Sequence, residues 1–295
     1  MRQAFAAAAA AALVLGLAAG EAAGLPGQDK VALRFGPAEG ARLTYSVSSV
    51  VNADGNSFLG KDLALNADTR GEIRLLSRAS ARDTVRVDLT SPGLDVSARL
   101  PDRVLNQKLG ATESEPLEVV FNRTGRVESI RNPQAVGGGN PFNISLPQIL
   151  RDYFPTLPVD PVARGDYWTE ERRLTIPFQG LEVRVDLAAT YTLDDLLPVD
   201  GGQMAYVSAV YRVKVSGGKD LGEARGVFEG EGGGAGTLQF RVDKGWFTEY
   251  RIDFKSDAAF VMKKAEDRLA EFPFSFSAFA EIVLVNAQDP DPVIR

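Results

Sequence analysis

Ser216-Gly217-Gly218-Lys219 sets a hydroxyl and an amine at the spacing of a Ser–Lys nucleophile. That chemistry needs a helical turn to carry the amine back to the hydroxyl, and two adjacent glycines oppose one. The segment therefore reads as a hairpin loop. The acidic pairs Glu170-Glu171 and Asp194-Asp195 offer carboxylates for proton transfer or for calcium. Neighbours on a strand point to opposite faces, so neither pair converges on a substrate unaided. Asn52, Asp54 and Asn56 around Gly55 resemble part of a calcium loop without its distant Glu, which leaves a hairpin turn. Gly230, Gly232, Gly233, Gly234 and Gly236 lack the Lys and Ser or Thr of a phosphate cradle. They read as a flexible connection or mobile lip ahead of a strand at Leu238. Arg164-Gly165-Asp166 matches an adhesion tripeptide but reads as a turn, and the sequons at Asn122 and Asn143 matter only in a glycosylating host.

The 295 residues include no Cys and no His. Ser–His–Asp and Cys–His nucleophiles and zinc sites built on His or Cys are thereby excluded. Carboxylate, Ser–Lys and oxygen-ligand metal chemistry remain open, but no motif carries any of them. The expectation is a non-enzymatic protein with no cofactor and no metal. A net charge of −6, with basic residues scattered singly, argues against a nucleic-acid surface. Without disulfides, stability must come from a buried core.

Arg2, an apolar run from Ala4 to Ala19 and small residues from Gly20 to Gly24 have the layout of a secretory signal peptide. Residues 1–22 are assigned to it, with cleavage after Gly20 or Ala22. The working protein is then periplasmic or extracellular, with no transmembrane helix after processing. Without a Cys near the exit, a lipoprotein anchor is impossible.

Period-two alternation dominates the remainder. Leu181, Val183, Val185, Leu187, Ala189, Tyr191 and Leu193 interleave with mostly polar residues, as do Leu63, Leu65, Ala67, Thr69, Gly71, Ile73 and Leu75. Each predicts a strand of roughly 40 Å, long enough to coil or bend. Val85 to Leu89, Val207 to Val215, Leu238 to Val242 and Phe272 to Leu284 follow the same grammar. The fold class is all-β: long curved antiparallel sheets, half-barrel or cradle-like, with one or two short helices. Those helices are placed after Ser145, with Ile149, Leu150, Tyr153 and Phe154 on one side, and over Met262 to Phe272, where a loop is the alternative.

Three features recur in order and suggest duplication. They are Gly40 with Tyr45 against Gly165 with Trp168, the two long strands, and the hairpins at Asn122 to Gly125 and Asp243 to Gly245. Residues 23–131 form an N-terminal β half and 158–287 a C-terminal one. Residues 132–157 link them, and 288–295 form a disordered tail.

Leu33-Arg34-Phe35 with Gly40 and Tyr45, Phe121-Asn122 to Gly125-Arg126-Val127, Leu157-Pro158 and Gly165-Asp166-Tyr167-Trp168 resemble a family of uncharacterised bacterial exported β-rich proteins. That resemblance covers most of the mature chain and implies fold and location only.

Trp168, Tyr191, Tyr211, Phe240 and Phe254 are the candidate ligand-binding residues, as aromatic lining for an apolar cavity, although a plain core explains them too. The leading functional expectation is an exported binding protein of the envelope that holds a lipid or other apolar ligand in a curved sheet. An envelope scaffold that holds another protein is the alternative. An outer-membrane barrel fits poorly, since the chain ends in a polar Pro-rich tail and several strands look shorter than a barrel needs.

Overall fold

The computed structural model describes residues 29–56, 62–100, 103–111, 115–131, 154–178, 181–221, 224–264 and 267–290. The expected signal peptide, residues 132–153 with the first helix candidate, and residues 291–295 lie outside them. The described chain forms strands β1 (Arg42–Asn56), β2 (Asp62–Ser80), β3 (Thr84–Leu100), β4 (Arg103–Ala111), β5 (Leu117–Asn122) and β6 (Val127–Arg131). The second series is β7 (Tyr167–Phe178), β8 (Leu181–Val199), β9 (Gly202–Leu221), β10 (Ala224–Arg241), β11 (Trp246–Lys264) and β12 (Asp267–Gln288).

All belong to one 12-stranded sheet in the order β6-β5-β3-β2-β1-β12-β11-β10-β9-β8-β7, with β4 paired to β3. Every pairing is antiparallel, including the junction of the first and last strands, β1 and β12. The repeated sequence features fall in β1 and β7, in β2 and β8, and in the turns after β5 and β10. Gly125 and Gly245 hold positive φ in those turns, a geometry that glycine adopts without steric cost.

The sheet curls without closing. Phe35, arriving on the segment before β1, lies 5.0 Å from Phe121 of β5 and 5.7 Å from Phe247 of β11. Strands far apart in the ladder thus meet across one end, where Leu33, Phe35, Tyr45, Leu89, Phe121, Phe240 and Phe247 make a closed floor. Tyr45 donates its buried hydroxyl to the Phe247 carbonyl at 3.1 Å, tying β1 to β11. Odd-numbered Arg251, Asp253, Lys255 and Asp257 of β11 face outward and are exposed. The inner face is apolar and the outer face wet, as one-sided alternation demands.

Several sequence expectations need correction. Met262 to Phe272 is a hairpin rather than a helix: Met262 pairs with Ala270 and Lys264 with Asp267. Its charges fall in adjacent runs, Lys263-Lys264 and Asp267-Arg268, and pairing sets Lys264 opposite Asp267, a favourable cross-strand match of charge. Among the described residues there is no helix. The glycine-rich stretch is no loop, because Gly230 to Gly236 pair with β9 on one side and β11 on the other. Ser216 to Lys219 likewise lie within β9, each residue paired to β10. Asn52 to Asn56 are strand residues paired with β2, short of the turn itself. Strand length was also underestimated: β2 and β8 have 19 residues and β12 has 22. Gln288 still belongs to β12, and Asp289 accepts an ion pair from Lys244 at 2.7 Å, so the tail is tied at its start.

The glycines of β10 show how the curl is made. Gly230, Gly232, Gly234 and Gly236 share the inner face with Phe228 and Leu238. A Cβ on Gly234 would stand 2.1 Å from the Asp253 carbonyl oxygen, and one on Gly232 2.2 Å from that of Lys255. The two strands approach too closely on the concave side for any side chain. Glycine at such a crease is how a long sheet bends instead of splaying.

Candidate functional site

The five candidate residues divide between two regions. Trp168 stacks on Tyr191 with ring centres 5.5 Å apart, and Tyr191 meets Tyr211 edge-on at 6.3 Å. Phe240 is completely buried in the floor, 5.3 Å from Phe247. Phe254 stands apart, opposite Gly234 in the glycine crease and 5.6 Å from Phe276. The structure therefore joins Trp168, Tyr191 and Tyr211, buries both tyrosines in the same core as Phe240, and sends Phe254 to a second aromatic group.

That second group occupies the inner face at the far ends of β10, β11 and β12. Phe228 lies 5.1 Å from Phe260 and 5.9 Å from Phe274, and Phe260 lies 6.4 Å from Phe272. Phe228, Phe260, Val213, Val215 and Ala258 are buried there. Phe254, Met262, Phe272, Phe274 and Phe276 are only half-buried. The alternation of Phe272, Phe274 and Phe276 was visible in the sequence; what it could not reveal is that this stretch lies past the closed floor. A surface depression of about 900 Å³ lies instead on the outer face, where Arg184, Lys214, Arg225, Glu229, Glu231 and Asp257 surround Val227, Ala259 and Val261.

A polar network connects Trp168, Tyr191 and Tyr211 to the seam of the sheet. Glu170 points inward from β7 and is buried, whereas Glu171 faces out. Arg172 donates to the Glu170 carboxylate at 2.8 and 3.1 Å, Arg126 at 3.2 Å and the Tyr191 hydroxyl at 3.2 Å. The Thr156 hydroxyl donates to the same carboxylate in a short bond. Burial alone pushes the Glu170 carboxyl up; the hydrogen bond and charge of Arg172, with Thr156 and Arg126, outweigh it and hold the group below its ordinary value. The Tyr211 and Tyr250 hydroxyls share a hydrogen bond of 3.0 Å. Burial drives the phenols of Tyr191, Tyr211 and Tyr250 far above the ordinary range, so they act as hydrogen-bonding groups and not as acids. The sequence reading set Glu170 aside with its neighbour; the nearby Arg172, two residues on and on the same face, was the signal available.

The remaining motifs are structural. Asn122 caps its turn, its side-chain oxygen accepting from the Thr124 and Arg126 amides at 3.1 and 3.0 Å. Asp166 accepts from the Ala163 amide at 2.8 Å in the Arg164-Gly165-Asp166 turn. Asp194 accepts from Ser208 and Asp195 from the Leu196 amide, each at 3.0 Å. Among the described residues, no three acidic side chains lie close enough to hold a metal ion.

No protein-family model and no curated protein matches the sequence. Solved structures that the chain is similar to include three from Pseudomonas aeruginosa. OccK2 (OpdF) in complex with glucuronate is 8% identical at a TM-score of 0.24, over 85% of this chain and 100% of that one. OccK5 (OpdH) is 7% identical at 0.24, again over 85% and 100%. The outer membrane protein opdK is 8% identical at 0.19, over 86% and 100%. At such scores the likeness carries no inference.

Proposed function

We propose that this chain is a non-enzymatic exported binding protein that holds a lipid or other apolar ligand against the inner face of its curled sheet. The observation that carries the reading is the half-buried phenylalanine surface of Phe254, Phe272, Phe274 and Phe276. A contiguous aromatic surface left partly open on a concave face is the mark of a binding site, because single exposed apolar residues are common but grouped ones are not. An acyl chain satisfies such a surface, since the half-buried phenylalanine rings ask for contact area and offer no polar handle. The outer face of β11, with exposed Arg251, Asp253, Lys255 and Asp257, is the inverse of the apolar band a membrane barrel turns to lipid. Against catalysis stands the saturation of the buried Glu170, whose oxygens already accept from Arg172, Arg126, Thr156 and Tyr191. Export rests on the layout of the first residues.

Native mass spectrometry of protein purified without detergent tests the reading. The wild type is expected to retain a lipid or to take up added palmitate, and Phe274→Asp is expected to lose it while keeping its β-sheet circular dichroism. Wild-type protein that retains no lipid and takes up no palmitate refutes the proposal. A single dominant protein adduct after crosslinking in cells would favour a scaffold in its place.

A further inference from the structure

The strands at the two ends of the ladder, β6 and β7, do not pair with one another. The seam between them is spanned by the strap of residues 154–163. Few backbone bonds hold this strap: Leu157 donates to Thr124 at 2.8 Å, Val162 exchanges bonds of 2.8 and 2.9 Å with Val31, and Ala163 at its end accepts from Asp166 at 3.0 Å. The side-chain ties to Phe154 and Thr156 converge on one place. Trp168 donates its indole N–H to the Thr156 carbonyl at 2.7 Å, Arg172 donates to the Phe154 carbonyl at 2.5 Å, and Arg126 to the Thr156 hydroxyl at 3.1 Å.

At the centre of that convergence is the Glu170 carboxylate. It touches Arg126 beside the β5–β6 turn, Thr156 on the strap, Arg172 on its own strand and Tyr191 on β8. One buried anion thus joins both margins of the open sheet to the segment that covers the gap. Arg126, half-exposed, is the part of this arrangement that crosses the seam directly. The strap buries its own Leu157 and Phe154, and Phe154 lies 5.7 Å from Phe121 and 6.0 Å from Phe247 in the floor.

We propose that Glu170 is the latch of a side opening: when its charge is lost, residues 154–163 lift as a unit and expose the aromatic floor while the sheet stays paired. The ladders of β7 to β12 make no use of the strap, so its release breaks none of them. Segments with few backbone bonds open locally, at a free energy below that of global unfolding. The opening admits a molecule from the side, between the two margins. It needs no assumption about what the phenylalanine surface binds.

The absence of cysteine from the chain makes the test direct. Leu157→Cys places a thiol on the strap itself at a site only 1% exposed, and Val207→Cys one 2% exposed in β9. Each is labelled with a maleimide in a Glu170 and in a Glu170→Gln background. Removing a charge-assisted hydrogen bond is worth at least about tenfold in an opening equilibrium. Labelling at position 157 is expected to accelerate by about tenfold or more in Glu170→Gln and to outpace labelling at position 207, which reads global opening alone. Equal acceleration at both positions shows global loosening and overturns the proposal, as does no acceleration at 157. If Glu170→Gln does not fold, Arg126→Met removes the cross-seam tie without stranding a buried charge and is read by the same two labels.

Discussion

Replacing Gly234 with Ala adds one methyl group where the sheet is most tightly bent. That carbon would sit 2.1 Å from the Asp253 carbonyl oxygen, 2.5 Å from the Phe254 Cβ and 2.6 Å from its Cα. Two of these neighbours are backbone atoms, so no rotamer change relieves the clash. The strands must separate by about 1 Å or more to reach normal carbon–oxygen contact, which breaks the ladder bonds locally. Overpacking of this kind costs about 1–3 kcal/mol, offset by about 0.4–1 kcal/mol from the stiffer unfolded chain. A net loss of about 1–2 kcal/mol lowers the melting temperature of a chain this size by roughly 2–8 °C. Gly233, the next residue, faces outward, and its Cβ would meet only the Tyr211 carbonyl oxygen at 3.1 Å. Gly233→Ala is therefore the matched control and is expected to change stability by no more than about 0.5 kcal/mol. Thermal melts followed by circular dichroism measure both. If Gly234→Ala melts with or above Gly233→Ala, the glycines are not there to make room for the bend, and the account of the crease is wrong.

Other outcomes follow from the buried polar groups. Because the Glu170 carboxyl is held below its unfolded value, its stabilisation is full above the ordinary carboxyl range and disappears as pH falls through the lowered value. Glu170→Gln is expected to destabilise the protein by about 3–5 kcal/mol at neutral pH, since it leaves Arg172 without its counter-charge. The difference from wild type should shrink in acid, and urea melts across the acidic range that show a constant difference would contradict the assignment. Tyr45→Phe leaves the Phe247 carbonyl without its buried donor and is expected to cost about 1–3 kcal/mol by denaturant titration. Tyr211→Phe removes a hydroxyl that bonds both Tyr250 and Tyr191, and a cost of about 1–3 kcal/mol is expected in the same titration.

The strands were readable because period-two alternation is a local property. Leu181 to Leu193 needs no distant information to declare a wet and a dry face. The glycine stretch of β10 misled for the same reason: locally it lacks β propensity, and its pairing is imposed by the neighbours β9 and β11. The charged hairpin around Lys264 and Asp267 has no alternation of its own, and its pairing continues that of the strands it joins. Glu170 illustrates what sequence withholds most thoroughly. Tyr191 reaches it through the β7–β8 pairing, but Arg126 and Thr156 belong to the other margin and the strap, and only the curl of the sheet brings them in. The aromatic candidates Trp168, Tyr191 and Tyr211 were grouped from composition, yet the half-buried phenylalanines of β12 offer more open surface than Phe240 does.

The pairing of β1 with β12, from Arg42 against Gln288 to Gly55 against Phe274, has a consequence for how the molecule is made. Its middle is completed last. A growing chain can zip each meander as it emerges, but β1 must wait with one flank bare until the final strand arrives. A product cut short before β12 would carry raw flanks on both β1 and β11, each a template for a stranger's backbone. Truncated forms should therefore aggregate well before they fail to form strands.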